Sequence, residues 1–450
     1  MSESQPNDLQ HRLDVITAQQ VGADGFVVEP LAVGSDYPSC KVVGRISGTE
    51  VAALGIDKAM EQGIAYAPSY RVSLENLNRL QFLYEAVENN WHPSLDAQFN
   101  QSLKPALGLR SASATENKTQ YGISLQQDLN FWKLQTQREL ALSGVDSGRL
   151  ESENSRQITA LNVAVLYLEV LRLRELRRVS AEYLELLNRF QNIVGQQYDA
   201  GAVSSVQNQR LEVAIKRSET DYLTLNQQFL ESIVVLEKTL GSLSIEAGDL
   251  EVPGVDLQEF SDYGEDDLVS VILDENVTLK RLKEDLQTAI LETESEEWNL
   301  YPEVTLDLSS TRNHRRRGGT KTEHTAQVNV ALNLWDGRRT RKNIAASQAG
   351  QKVAIARVDQ QRLALDIEAR RVFSGYKTAL SESKYSREAC VEAQGLLELQ
   401  QIDFSTKTSS EIFNLVTSAG EWFATANQNV AAYFDALNAI YQIKALRSDL

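Results

Sequence analysis

The chain has 450 residues and a mass of 50.2 kDa, with 62 acidic against 45 basic residues and a formal charge of −17. A pI near 4.9 excludes a nucleic-acid-binding surface as its main business. No stretch reaches the roughly 18–20 consecutive apolar residues of a membrane-spanning helix, while a β-barrel stays open because its strands are short and half polar.

The N-terminus, Met1 to Asp8, has neither the basic nor the apolar region of a secretory signal, so the sequence reads as unexported or as a processed or truncated form. Residues 1–50, with Asp24-Gly25, Pro30, Gly34, Pro38 and Gly44, read as an irregular extension. Cys40 and Cys390 share no metal-ligand or redox spacing and read as two unpaired thiols. Cys40 also lacks the preceding small-apolar pattern of a lipid-attachment site.

The eight prolines leave 106–252 and 303–450 proline-free. Proline breaks a helix interior at about 3 kcal/mol, so both windows admit very long helices, and both are rich in helix formers. Each is introduced by alternating segments: Pro93 to Phe99 and Tyr121 to Trp132, then Pro302 to Leu308 and Ala326 to Trp335. Apolar residues at every second position predict strands with one apolar face, and the closing aromatics suit a membrane interface, although a soluble hairpin with one buried face has the same pattern.

Leu176, Val179, Tyr183, Leu186, Phe190 and Ile193 are spaced 3-4-3-4-3, and Leu211, Ile215, Ser218, Tyr222, Leu225, Phe229, Ser232 and Leu236 continue such a seam after a turn. Gly201 supplies a cap for the first helix and Ser204 or Ser205 an N-cap for the next, giving a helical hairpin. The second window repeats this, with helices from about Gly337 to Phe404 and Glu411 to Leu446 around Ser405 to Ser410. The longer helix of each pair, about 65 residues, spans roughly 100 Å. An internal duplication follows: an extension 1–50, a first repeat 51–250 and a second repeat 251–450, each with short helices, two strands and a long helical hairpin.

Asn90-Trp-His-Pro93-Ser-Leu, Gln197-Tyr-Asp-Ala-Gly201-Ala-Val-Ser, Leu332-Asn-Leu-Trp335-Asp-Gly337-Arg and Phe423-Ala-Thr-Ala-Asn-Gln-Asn-Val-Ala-Ala-Tyr together resemble the TolC-like outer-membrane efflux protein family. The resemblance covers about 51–447. It implies a mainly α fold with a β-barrel part, in which long antiparallel coiled-coil hairpins form a periplasmic tunnel. Four strands per protomer then join a homotrimeric, 12-stranded transmembrane barrel. Four strands alone would leave two unpaired edges in lipid.

The implied function is a passive conduit of a tripartite efflux pump or type I secretion system, in the outer membrane with a periplasmic extension. Its partners are a periplasmic adaptor, an inner-membrane transporter that supplies the energy, and outer-membrane lipid. The family's acidic rings at the periplasmic constriction fall on Asn414 and Thr417, with Glu411 one turn earlier. Three copies of Glu411 would repel and attract cations, whereas a single one is an ordinary first-turn glutamate. The family's latching acid falls on Gln207, with Lys407 its nearest basic candidate. Gly201, Ser204, Ser205, Ser409 and Ser410 mark hairpin tips that would dock the adaptor, and Arg315, Arg316 and Arg317 an outward-facing basic loop able to meet lipopolysaccharide phosphates.

No nucleotide, hydrolase, zincin or dinucleotide motif occurs, so no catalytic residue, cofactor or metal is assigned. His314 and His324 share one hairpin without a carboxylate or cysteine cluster, and His92 reads as a strand-entry residue. The alternative from another class is a soluble coiled-coil scaffold.

Overall fold

The structure is a computed structural model that describes residues 40, 54–104, 116–199, 203–241, 250–315, 319–406 and 412–450. Contacts divide the chain into units 1–42 and 43–450. All elements below belong to the second, and the expected irregular extension lies outside the described residues except for Cys40.

The elements form two matching series. The first is α1 (Ile56–Tyr66), α2 (Pro68–Glu88), a 3-10 turn (Asn89–Trp91), β1 (Ser94–Lys104), β2 (Glu116–Asp128), α3 (Phe131–Asp199) and α4 (Ser205–Leu240). The second is α5 (Glu265–Glu275), α6 (Val277–Glu297), a 3-10 turn (Trp298–Leu300), β3 (Glu303–Arg315), β4 (Gly319–Ala331), α7 (Arg339–Thr406) and α8 (Ile412–Leu446). The helices correspond almost residue for residue: 11 and 11, 21 and 21, 69 and 68, 36 and 35.

Local chemistry sets the boundaries. Pro68 sits in the first turn of α2, where its missing N–H costs nothing. The strands end sooner than alternation alone predicts. Asp128 accepts from the backbone N–H and side-chain amide of Asn130, turning the chain so that Phe131 and Trp132 open α3 instead of closing β2. Asn130 in turn accepts from the Val304 N–H, tying that turn to β3. In the second series Gly337 takes φ 69°, and Asp336 accepts from the N–H and hydroxyl of Thr340 to start α7. Those bonds hold the Asp336 carboxyl below its usual range.

The predicted seams are real. Val179, Tyr183, Leu186 and Phe190 are buried on α3, and Leu211, Ile215, Ser218, Phe229 and Leu236 on α4. At the end of α3 the buried residue is Val194, not Ile193, because a 3.6-residue period drifts from a 3.5-residue one.

The helices lie side by side in a layer. Near the strands the order is α2, α3, α6, α7; farther away it is α4, α3, α8, α7. Ser143 and Ser147 of α3 bond Thr288 and Asp285 of α6, whereas Tyr183 of α3 stacks on Phe423 of α8 at 4.4 Å. Between the two zones, Phe260, Leu268, Ile272, Phe373, Tyr376, Ile440 and Ile443 form a core of α5, α7 and α8. A matching contact joins α1 to α3, where the Tyr167 hydroxyl donates to the carbonyl of Leu54 or of Glu251.

Cys40 and Cys390 correct the sequence reading: both are disulfide-bonded. Cysteine oxidation depends on geometry and on the compartment, neither of which a sequence spacing reports.

Candidate functional site

The four strands form one antiparallel sheet in the order β1-β2-β3-β4, so the two hairpins pair through β2 and β3. The register aligns Leu95, Leu125, Leu308 and Ala326 in one row and Ala97, Ile123, Ser310 and His324 in the next. With Phe99, Tyr121, Val304, Leu306, Val328 and Val330 these positions make one face apolar. The opposite face carries Asp96, Gln98, Ser124, Gln126, Thr305, Asp307, Ser309, Thr325, Gln327 and Asn329.

Among the described residues no helix covers the apolar face, and Leu95, Phe99, Tyr121, Ile123, Val328 and Val330 are all exposed. Water is a poor solvent for so continuous a patch on a sheet, and lipid a good one. At the helix-proximal end Trp132 and Trp335 are 74% and 80% exposed, beside exposed Tyr301 and Leu334, as in the aromatic girdle of a membrane barrel.

Both margins are open. Among the described residues β1 and β4 each have one strand neighbour, and neither α2 nor α4 packs on α7. α2 has no buried residue and exposes Val72, Phe82 and Leu83, while α7 exposes Val353, Leu363, Ile367 and Leu399. Sheet and helical layer thus leave the same two sides unfilled among the described residues.

At the far end of the helices Ser204 is the N-cap of α4 and Ser205 its first residue. Ser204 and Gln207 form a reciprocal capping box, so the Gln207 carboxamide is engaged at the tip of its own helix. Among the described residues Arg210 reaches the second hairpin, its guanidinium 5.5 Å from the Phe413 ring centre of α8. Arg210 is one turn beyond Gln207; the sequence reading stopped at the position six after the glycine and missed it.

Asn414 and Thr417 are exposed one turn apart on the first turns of α8, with the Thr417 hydroxyl donating to the Phe413 carbonyl at 2.7 Å. Gly201, Lys407, Ser409, Ser410 and Glu411 lie outside the described residues, as do Arg316 and Arg317. Arg315 ends β3 opposite Gly319.

A buried ion-pair group stiffens α3. Glu175 is paired with Arg174 at 3.3 Å and Arg178 at 3.0 Å, and Arg174 donates to the Leu250 carbonyl at 2.9 Å. Burial raises the Glu182 carboxyl next to Arg178, whose charge only partly offsets it.

Residues 268–410 match the family model of outer membrane efflux proteins. No curated protein matches the chain by sequence. Among solved structures it is similar to VceC of Vibrio cholerae, with 14% identity, 87% of this chain and 96% of that one covered, and a TM-score of 0.74. It is similar to the CmeC outer membrane channel of Campylobacter jejuni at 13% identity, 93% and 93% coverage and a TM-score of 0.75. For the open MtrE outer membrane channel of Neisseria gonorrhoeae the values are 15%, 93% and 98%, and 0.76. Residues 268–410 thus match the outer membrane efflux protein family, and the chain as a whole has the fold of these solved outer membrane channel proteins.

Proposed function

We propose that three copies of this outer-membrane efflux channel protein close side by side, β4 of one against β1 of the next, into a barrel of twelve strands with a helical tunnel below it. The observation that carries this reading is the four-stranded sheet with one bare apolar face and two open edges. Closure satisfies both the edge hydrogen bonds and the apolar face at once, and nothing in the fold favours a soluble coiled-coil scaffold. The disulfide-bonded cysteines fit an oxidising compartment such as the periplasm.

In this arrangement the tunnel is a passive conduit of an efflux pump or type I secretion system, fed by an inner-membrane transporter and a periplasmic adaptor. The adaptor docks on the hairpin tips at Gly201, Ser204, Ser205, Ser409 and Ser410. Glu411, Asn414 and Thr417 line the periplasmic constriction, and the loop of Arg315, Arg316 and Arg317 faces outward. The test is the mass of the protein extracted from an outer-membrane fraction, by light scattering corrected for detergent. Three times the 50.2 kDa chain mass is expected. A monomer or dimer in the soluble fraction of cells that export the chain overturns the reading.

A further inference from the structure

The apolar face of the sheet is not uniform along its height. Among the described side chains of the four strands, every acid, Asp96, Asp128, Glu303, Asp307 and Glu323, alternates onto the polar face. In a chain of net charge −17 the lipid-side face therefore holds no acid at all. It does hold Arg312 and His314 toward the end remote from the helices, with His324 one row nearer the middle of the strands, all three exposed.

Arg312 lies in register with Tyr121 on one side and Thr322 on the other. The next row outward has His314, whose Nδ1 is 3.0 Å from the Thr320 hydroxyl. Among the described residues the Arg312 side chain has no ion-pair or hydrogen-bond partner, although its fork has five donors. From Val304 to Arg312 the strand rises about 26 Å, or about 20 Å across a membrane once tilted by about 40°. That is close to the full height of an outer-membrane apolar band, so the guanidinium sits at headgroup level while the opposite end carries the tryptophans.

We propose that Arg312, with the hydroxyls of Tyr121 and Thr322 and the His314 ring, binds a phosphate on a lipid headgroup of the outer leaflet. The inference rests on the barrel reading above and places the contact on the barrel wall, with Arg312 three positions before the first arginine of the basic loop, Arg315. A guanidinium grips two phosphate oxygens at once, and the acyl chains of the same lipid lie against Ile123, Leu308 and Ala326 beneath it. A lipid is favoured over a free anion because the site is continuous with the apolar face and opens only toward the bilayer side.

The test uses the full chain as purified oligomer in neutral detergent. Its melting temperature is followed during titration with diphosphoryl lipid A, with the dephosphorylated lipid, or with inorganic phosphate. We expect stabilisation by the diphosphoryl lipid alone, with the half-maximal concentration raised about tenfold in Arg312→Gln. Arg312→Lys, which keeps the charge but not the fork, falls between the two, and Lys321→Gln on the polar face behaves as the parent. Equal response of Arg312→Gln and parent, or of both lipids, overturns the proposal, and an equal effect of inorganic phosphate overturns the lipid as its source. The mass of the extracted parent protein reads the barrel separately: a correct oligomer without lipid response removes the phosphate site only, while failure to enter the membrane removes both.

Discussion

Tyr167 shows how much a single hydroxyl carries in this molecule. It donates to the carbonyls of Leu54 or Glu251 and accepts from the Glu251 N–H, bridging two distant segments beneath the Leu54–Leu250 bridge. Tyr167→Phe leaves these groups without their partner and should destabilise the fold by about 1–2 kcal/mol in a denaturant titration. Burial pushes the phenol up from 10.0 to about 12. Its contribution to stability is therefore complete below pH 10 and is lost as pH rises toward about 12. An alkaline series of melts should show that decline in the parent and a weaker one in Tyr167→Phe.

Glu175 presents the opposite case, a charge that is tolerable only because it is paired. Its side chain and that of Arg174 are 2% and 3% exposed. Glu175→Gln leaves two guanidinium groups without their shared counter-charge and should cost about 3 kcal/mol, read as a lowered melting temperature with unchanged assembly after folding. Neither residue stood out in the sequence, because a Glu or Arg on a long helix has the same spacing whether it faces water or a neighbouring helix.

At the scale of elements, helix ends and contacts between hairpins are the sensitive points. Gly241 closes α4 at φ 67°, and a Cβ there would run into the Tyr66 ring. Gly241→Ala combines that clash with a left-handed backbone and should lower stability by more than about 1 kcal/mol. The Arg210–Phe413 contact links α4 to α8 close to the tips, where the two hairpins share few other contacts. If the proposed tunnel opens by parting these hairpins, Arg210→Ala removes about 0.5–1 kcal/mol per protomer from the closed state. Single-channel recording in a planar bilayer should then show a raised open probability, and an unchanged one would exclude this contact as a restraint.

For the whole molecule, the proposed three-copy ring would decide what each surface means. Three copies of Glu411, Asn414 and Thr417 would meet at the narrow end, so Glu411→Gln should reduce cation preference of the open pore, measured as a shift in reversal potential across a salt gradient. A reversal potential identical to that of the parent would remove Glu411 as a filter. The open sides of the helical layer and of the sheet coincide, which is why one interface can complete both.

Periodicity and punctuation determined a great deal unaided. The alternating strands, the seam through Val179, Tyr183 and Phe190, the Ser204 cap and the duplicated order of elements are all local properties of the sequence, and each is present in the fold. Local propensity fixes what depends on neighbours a few positions away. Only the tertiary structure decided that β2 pairs with β3, that Arg210 faces Phe413, that both cysteines are disulfide-bonded and that Arg312 stands alone on an acid-free face. Each of these joins residues far apart along the chain, or depends on which face the register assigns, and a spacing rule holds no term for either.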